Sequence, residues 1–226
     1  MKEEMTLSEA IAERHSVRSF LDKPIPGEIR EELEKMRQEV CSGKNVRIRI
    51  VYDEPEGFDS RLAHYGRFRN VRNYMVLSAP HGQKADEEAG YAGEQLVLRA
   101  QQLGLRTCWA ALTFNKKAVR RMVPEGEDLI IVIALGYGAE DGTAHRNQDV
   151  GKLAMISPDD PEWYQAGVRA VLLAPTAVNQ QKFRLERDGE KVRIRSVGIG
   201  PCLRIDLGIL RCHFEIGAGP GHLVEN

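Results

Sequence analysis

Several features that define other protein classes are scarce or missing in this chain. Charge of one sign is not in excess, because 32 Lys and Arg residues stand against 33 Asp and Glu residues, for a net charge of −1. No overall field therefore draws nucleic acid to the protein. The longest uninterrupted apolar run, residues 129–135, is far shorter than the roughly 20 residues of a membrane helix. We expect neither a nucleic acid nor a membrane as a partner.

Disulfide and secretion signals are also missing. The four cysteines show no C-x-x-C spacing, and in a chain of this length reduced, buried thiols are the commoner state. The first residues, MKEE, are charged and contain no apolar segment, so no signal peptide is predicted. Hydrophobic residues make up 42% of the chain, which is enough for a substantial core. These features predict a cytoplasmic protein.

Familiar catalytic motifs are absent as well. The sequence contains no G-x-S-x-G, H-E-x-x-H or G-x-x-x-x-G-K-[ST]. The segment GIGP at residues 198–201 lacks a third glycine, and its proline disfavours the helix start of a dinucleotide site. We therefore assign no catalytic side chain and no metal ligand.

The first informative segment is RHSVRSF at residues 14–20, which follows a predicted short helix. Guanidinium groups make bidentate contacts with phosphate, and a serine adds a hydroxyl donor, so Arg14, Ser16 and Arg18 predict a phosphate site. His15 is expected to add a ring N–H or a backbone contact. The alternative is that the two arginines only favour the negative pole of a helix end.

The second informative segment, residues 174–184, is a turn led by Pro175 that contains small residues and neutral amides and precedes a strand. The amides of Asn179 and Gln181 carry both donors and acceptors, which suits the edge of a flat polar heterocycle. They could instead satisfy only their own turn. Together the two segments predict a nucleotide-like cofactor with a charged end and a flat end.

The hydrophobic pattern alternates between helix and strand periods. Helices are predicted near residues 7–11 behind a Thr6 capping box, and at 24–36, 85–103, 115–122, 162–173 and 206–214. Strands are predicted at residues 46–52, 74–77 and 129–135, with a hairpin of 183–187 and 191–195 around Asp188-Gly189. Residues 136–152 are glycine-rich and lack a period. The fold class predicted is α+β, a mixed sheet with two related halves.

These motifs resemble those of the nitroreductase-like flavoproteins. R-x-S-x-R-x-F at residues 14–20 resembles their phosphate-binding motif, and A-P-T-A-x-N-x-Q at residues 174–181 resembles their flavin-contacting turn. Residues 93–109 resemble their core helix and the loop after it. The resemblance implies a nitroreductase-like fold, with a mixed, mainly antiparallel sheet flanked by helices, and FMN as the cofactor.

The resemblance also implies which residues bind FMN. Backbone N–H groups of the loop at Cys108, Trp109 and Ala110 would face the N5 side of the flavin, although ordinary core packing explains these side chains equally well. His145 and Arg146 would form a basic pair on the phosphate or remain a solvated pair, and Arg69 with Asn70 would reach the pyrimidine end. The full set expected to bind the cofactor is Arg14, His15, Ser16, Arg18, Arg69, Cys108, Trp109, Ala110, His145, Arg146, Pro175, Thr176, Ala177, Asn179 and Gln181.

The order of the motifs departs from the family pattern. In typical homodimeric members one subunit supplies the phosphate motif and the other the flavin-contacting turn, which follows the first motif closely in sequence. Here that turn is missing after residue 36 and lies in the second half, whose first helix lacks R-x-S-x-R. The chain therefore resembles single-chain, two-half members. The expected parts are residues 1–137, a connection at 138–152, and a trimmed half at 153–226, forming a monomer with one FMN.

The function implied is an FMN-dependent oxidoreductase. NADH or NADPH would give electrons to the flavin, and a small nitroaromatic-like or quinone-like acceptor would then take them by a ping-pong mechanism. In such an enzyme the flavin carries the electrons, which agrees with the absence of a catalytic motif. Two alternatives are a flavin-binding carrier or sensor without turnover, and a scaffold that has lost flavin.

Overall fold

A four-stranded sheet forms the centre of the fold. The structure, a computed structural model, describes residues 5–224 of the 226-residue chain. The strands are β1 (Arg47–Val51), β2 (Asn73–Pro80), β3 (Arg106–Ala110) and β4 (Glu127–Gly136), side by side in the order β1-β2-β4-β3. All three pairings are antiparallel. Among the described residues, parallel pairing occurs only in isolated bridges. The sheet is therefore mainly antiparallel, as the family resemblance implied, and only these bridges make it mixed.

β4 lies inside the sheet because its sequence is apolar on both faces. Every residue from 131 to 136 is buried. Ile131 and Ile133 belong to the largest hydrophobic core, whereas Val132 and Ala134 belong to a second core with the aromatic rings around Phe58. Side chains alternate across a strand, so each face of β4 is covered by its own core. The prediction that residues 129–135 form a central strand is confirmed.

Eight helices surround the sheet in the described part of the chain. They are α1 (Leu7–Glu13), α2 (Gly27–Cys41), α3 (Arg61–Tyr65), α4 (Asp86–Gln102), α5 (Lys116–Arg120), α6 (Val150–Leu153), α7 (Glu162–Val171) and α8 (Leu203–Ala218). α1 begins with the predicted capping box of Thr6 and Glu9, and α4 ends before Gly104, whose φ is +79°. α2 continues past its predicted end at residue 36. None of these helices has the length and hydropathy of a transmembrane segment.

The second part of the chain adds a small layer to this core. α7 leads into a 3-10 turn (Ala177–Asn179), which is followed by a separate antiparallel hairpin of β5 (Phe183–Asp188) and β6 (Lys191–Ser196) and by α8. The hairpin confirms the prediction. Residues 137–149 hold no helix or strand, and α6 begins within the predicted connection. The largest core contains residues from both parts, and the division at residues 138–152 stays a prediction.

α4 and α8 cross at two glycines. A Cβ atom on Gly90 would lie 2.0 Å from the carbonyl oxygen of Ile205, and one on Gly208 would lie 2.0 Å from that of Glu87. The contact is reciprocal, since each glycine meets the carbonyl three positions before the other glycine (205 and 208, 87 and 90). Only glycine permits this approach of backbone to backbone. The crossing therefore fixes the position of α4 relative to α8 along the helix axes.

Candidate functional site

The segment at residues 14–20 runs beside β3. Ser16 forms a bridge with Thr107, and the Val17 N–H donates to the Thr107 carbonyl at 3.0 Å. Val17 and Phe20 are buried and anchor the segment, while the Arg18 side chain between them is exposed. The structure therefore places the predicted phosphate motif next to Cys108, Trp109 and Ala110, which lie on strand β3 and not in the loop that was predicted for them.

Arg14 lies deeper than a surface phosphate ligand. Its residue is only 5% exposed, and its Nη2 donates to the carbonyl of Leu173, just past α7, at 3.4 Å. Its Nε is 3.8 Å from Oε1 of Glu94 but makes no hydrogen bond to any described residue. Burial lowers the pKa of Arg14, and the charges of Glu94 and Cys108 oppose that shift. Arginine stays charged in proteins, so a buried cation stands at this end of the site.

Cys108 lies beneath the polar groups of the first segment. Burial raises the pKa of its thiol, while the charges of Arg18 and Arg14 and a hydrogen bond with Ser16 act in the opposite direction. The charges of Arg14 and Arg18 thus act on the same buried thiol, and the exposed Arg18 also lies 6.0 Å from the centre of the Phe68 ring. Two cations and a hydroxyl in this arrangement have the chemistry of an anion site.

Glu94 is a fully buried carboxylate that joins several elements. Its Oε2 accepts from Trp109 Nε1 at 3.0 Å, and its Oε1 accepts from His213 Nε2 at 2.9 Å. His213 Nδ1 faces the Ala170 carbonyl at 3.0 Å, so both ring nitrogens need a hydrogen and the imidazolium form satisfies both contacts. Burial raises the pKa of Glu94. The hydrogen bond and charge of His213, together with Arg14 and Trp109, lower that pKa by more than burial raises it, so the net shift is downward.

The turn predicted to contact the flavin has an unusual backbone. Val178, Asn179 and Gln181 have φ angles of 47°, 54° and 45°. Asn adopts this left-handed region readily, whereas a β-branched residue such as Val rarely does. The turn is pinned at two points, because the Gln181 N–H donates to Thr176 Oγ1 at 3.1 Å and the Ala177 N–H donates to Asp206 Oδ1 at 3.0 Å. Strain of this kind is common at functional sites.

The side-chain amides of Asn179 and Gln181 form hydrogen bonds between this turn and the connection at residues 138–152. Asn179 Nδ2 and Gln181 Nε2 both donate to the Arg146 carbonyl, at 2.9 and 2.8 Å. Gln181 Oε1 accepts from the Gln148 N–H at 2.9 Å. In this structure the amides thus satisfy their own surroundings, and their contact with a ring edge stays a prediction.

The first segment and the connection both reach the end of α7, just before the turn. Arg14 reaches the Leu173 carbonyl, and His145 Nε2 lies 3.0 Å from the Leu172 carbonyl. Both contacts are to the last carbonyls around the end of α7, whereas the helix-end alternative for Arg14 and Arg18 concerned the end of α1 and stays open. Ala174, Pro175 and the rest of the turn follow directly, with Pro175, Thr176 and Ala177 half-buried.

The remaining predicted residues attach to the same region. His15 Nδ1 lies 3.3 Å from the Asp141 carbonyl in the connection. Arg69 joins through its backbone, because its N–H donates to the Arg18 carbonyl at 2.9 Å and its carbonyl accepts from Phe20 N–H at 3.1 Å. The exposed side chains of Arg18, Arg69 and Arg146 form no ion pair with any residue from 5 to 224. Bridges and hydrogen bonds thus link most of the predicted residues through β3, the end of α7 and the connection, and the set as a cofactor site stays a prediction.

Sequence reasoning missed Glu94, His213 and Asp206. Glu94 follows Gly93 on the α4 face that also carries Gly90 and Val97, so a carboxylate on a buried helix face was the available signal. His213 and Asp206 are likewise buried polar residues inside an apolar helix, α8.

Comparisons with known proteins agree with this architecture. Residues 6–218 match the model of a family described as "Putative TM nitroreductase". Two solved structures described as "putative nitroreductase" are similar. The one from Thermotoga maritima is 23% identical with a TM-score of 0.70, covering 96% of this chain and 85% of that chain. The one from Desulfovibrio desulfuricans, in complex with FMN, is 18% identical with a TM-score of 0.52, covering 69% and 96%.

An FMN-dependent nitroreductase from Clostridium difficile is 20% identical with a TM-score of 0.52, covering 64% of this chain and 95% of that one. No curated protein matches the chain. Because the family model spans nearly the whole sequence, the chain belongs to this nitroreductase family, and the solved structures show its nitroreductase-like fold. The family resemblance seen in the motifs is confirmed, and the single-chain, two-half subgroup stays a prediction.

Proposed function

We propose that the protein is an FMN-dependent oxidoreductase that passes electrons from NADH or NADPH to a small nitroaromatic-like or quinone-like acceptor. The observation that carries this proposal is the contact of Arg14 with the Leu173 carbonyl, two residues before the turn at 175–181. Family membership and the FMN named for two of the similar structures support the choice of cofactor.

The donors at the first segment fit one terminal phosphate. Arg14 is a buried cation whose Nε faces Glu94 at 3.8 Å without forming a hydrogen bond to any described residue, and a buried N–H donor of this kind gains from an additional anionic oxygen. Ser16 and Arg18 add a hydroxyl and an exposed guanidinium beside it. The sequence offers no glycine-rich fingerprint for an adenylate. These residues favour FMN over FAD.

The residues of this chain would bind and orient the cofactor, while FMN when bound supplies the redox-active ring. Arg14, Ser16 and Arg18 would hold the phosphate. The backbone of residues 108–110 and the turn at 175–181 would border the ring. Donor and acceptor would use the same place in turn, which is the basis of the ping-pong assignment.

We also propose one FMN per monomer. The phosphate motif and the turn each occur once, and the reciprocal crossing of Gly90 and Gly208 is the kind of contact that a two-fold interface makes. Fusion of two halves would bury that interface within the chain. Light scattering should give a mass near 25.4 kDa. A mass of two chains, with FMN binding restored on mixing an Arg14→Ala chain and an Asn179→Ala chain, would show exchange between subunits instead.

The central experiment is a visible spectrum of the protein after incubation with FMN and removal of free flavin. We expect bound FMN that NADH or NADPH bleaches rapidly and that a quinone or nitroaromatic restores. Bound flavin without bleaching would favour a carrier or sensor. No bound flavin would favour a scaffold that has lost it, an alternative supported by the protein partners that Arg14 and the two turn amides already have.

A further inference from the structure

We propose that Glu94 is a positioning residue that sets Arg14 for the phosphate of the cofactor, and that His213 of α8 holds Glu94 in place. This inference rests on the proposed function. Glu94 lies in the core-helix segment that resembles the family but was not among the residues expected to bind FMN, and His213 lies outside all of the motifs. Both side chains are completely buried, on α4 and α8, behind the surface on which Arg14 and Trp109 lie.

The carboxylate serves three donors on three different elements. Oε1 faces His213 Nε2 at 2.9 Å and Arg14 Nε at 3.8 Å, while Oε2 accepts from Trp109 Nε1 at 3.0 Å. Arg14 ends α1, Trp109 lies on β3, and His213 lies on α8. An ionised carboxylate has acceptor sites on both oxygens, so it can serve all three. An amide of the same shape has one oxygen and cannot.

Charge balance explains why His213 is part of the arrangement. An ionised Glu94 beside Arg14 alone would neutralise the cation that a phosphate needs. His213 adds a second buried cation, because both of its ring nitrogens face acceptors. The group of Arg14, Glu94 and His213 therefore carries a net charge of about +1, one unit for each cation less one for the carboxylate. A positive charge remains available to a phosphate.

Glu94 and the Leu173 carbonyl lie near two different nitrogens of the Arg14 guanidinium. Nη2 donates to the Leu173 carbonyl at 3.4 Å, and the Glu94 carboxylate attracts Nε from 3.8 Å without a hydrogen bond, so one hydrogen bond and one charge contact orient the guanidinium. A held guanidinium loses less conformational freedom when it binds an oxyanion. Loss of Glu94 would let the side chain turn away and would weaken phosphate binding without removing any direct contact with the ligand.

The test compares FMN with riboflavin, which lacks the phosphate, in the full-length protein. Glu94→Gln adds net positive charge near the site, but we expect the lost orientation of Arg14 to outweigh that gain. FMN binding should weaken by roughly tenfold, the size expected for one charge-assisted contact, and riboflavin binding should change by less than about twofold. A residue that only stabilises the fold would lower both affinities alike. Equal losses for both flavins, or no loss for FMN, would overturn the proposal.

Glu215→Gln is the matched control, because Glu215 also bridges α8 to α4, through the Tyr91 hydroxyl, but contacts neither Arg14 nor Trp109. It should leave the ratio of FMN to riboflavin affinity unchanged. If Glu94→Gln does not fold, His213→Gln provides the measurement, because Gln can still donate to Glu94 while the charge is lost. It should lower the ratio in the same direction, and an unchanged ratio in folded His213→Gln would contradict the inference.

Failure of the proposed function is distinguishable from failure of this inference. If the unmodified protein binds neither FMN nor riboflavin, the cofactor assignment is wrong and the role of Glu94 is wrong with it. If the unmodified protein prefers FMN and both variants keep that preference, only the role of Glu94 is wrong.

Discussion

Residues 14–18 and residues 175–181 approach the same end of α7, but the first segment depends on buried charge and the second on amide hydrogen bonds and a strained backbone. Arg14 is backed by Glu94 and His213, two fully buried ionisable groups. The turn is exposed at Val178 and is held by Asp206 and by the amides of Asn179 and Gln181. Charges in a protein interior have few acceptable arrangements, whereas amides can exchange partners with water. We therefore expect the first segment to tolerate less change.

The largest effect should come from removing a buried ionic partner. His213→Leu leaves Glu94 with only the distant Arg14 as a charge partner and should lower the free energy of unfolding by about 3–5 kcal/mol. The corresponding change in the second segment, Gln181→Leu, removes neutral hydrogen bonds and should cost about 1–3 kcal/mol. Urea unfolding of both variants measures the difference. A larger loss for Gln181→Leu would reverse the comparison.

The two arginines of the first segment should separate binding from stability. Arg14→Ala and Arg18→Ala should each weaken FMN binding by roughly tenfold or more, since each removes a charge-assisted contact of about 1.5–3 kcal/mol. Only Arg14 is buried, so only Arg14→Ala should also lower the melting temperature. Calorimetry and flavin titration of both variants provide the data. Unchanged FMN affinity in both variants would mean that Arg14 and Arg18 interact only with a helix end and do not bind phosphate.

The buried carboxylates behind the two segments should respond to pH with opposite signs. The pKa of Glu94 lies below its ordinary value of 4.5, so its ionised form contributes stability at neutral pH that is lost as pH falls through the lowered value. Burial raises the pKa of Asp206 above 3.8, against the hydrogen bonds from Gln180 and Ala177. Its ionised form therefore costs stability above the raised value, and that cost disappears as pH falls toward 3.8.

Urea unfolding at about pH 7 and about pH 3.5, on either side of ordinary carboxyl pKa values, tests this contrast. On acidification the stability advantage of the unmodified protein over Glu94→Gln should shrink. Its stability relative to Asp206→Asn should rise instead. Changes of the same sign in both comparisons would refute the assignment of one pKa shift.

The smallest effect expected is a gain in stability. Val178 is 88% exposed and has a φ of 47°, so its side chain adds strain without packing. Val178→Gly should raise the free energy of unfolding by about 1 kcal/mol, because glycine adopts this region freely. Val178→Ala keeps a Cβ in the same backbone conformation and serves as the control, with a smaller gain expected. A loss of stability in Val178→Gly would show that the turn is not strained.

The sequence predicted the parts of this structure that depend on local patterns. The capping box at Thr6, the apolar strand at residues 129–135 and the hairpin after Phe183 all have signals within a few residues. The neighbourhood of the two motifs was also predictable, but through family resemblance and not through spacing.

The side-chain partners could not be predicted, because they join residues far apart in the chain. The contact of Glu94 with His213 spans 119 positions, and that of Arg14 with Leu173 spans 159. No local pattern marks which buried carboxylate will meet which cation. The engagement of Asn179 and Gln181 by the Arg146 carbonyl was missed for the same reason, since the connection at residues 137–149 has no period from which to place it.

The glycine crossing of α4 and α8 also has a consequence for motion. Backbone meets backbone at Gly90 and Gly208, so no change of side-chain rotamer can loosen the contact. A slide of one helical turn, about 5.4 Å, would replace Gly208 at the contact by a residue that carries a Cβ. We therefore expect α4 and α8 to behave as one rigid unit. Conformational fluctuations should be larger in the segments on either side of this unit. Amide hydrogens at the crossing should consequently be among the slowest in the molecule to exchange with solvent.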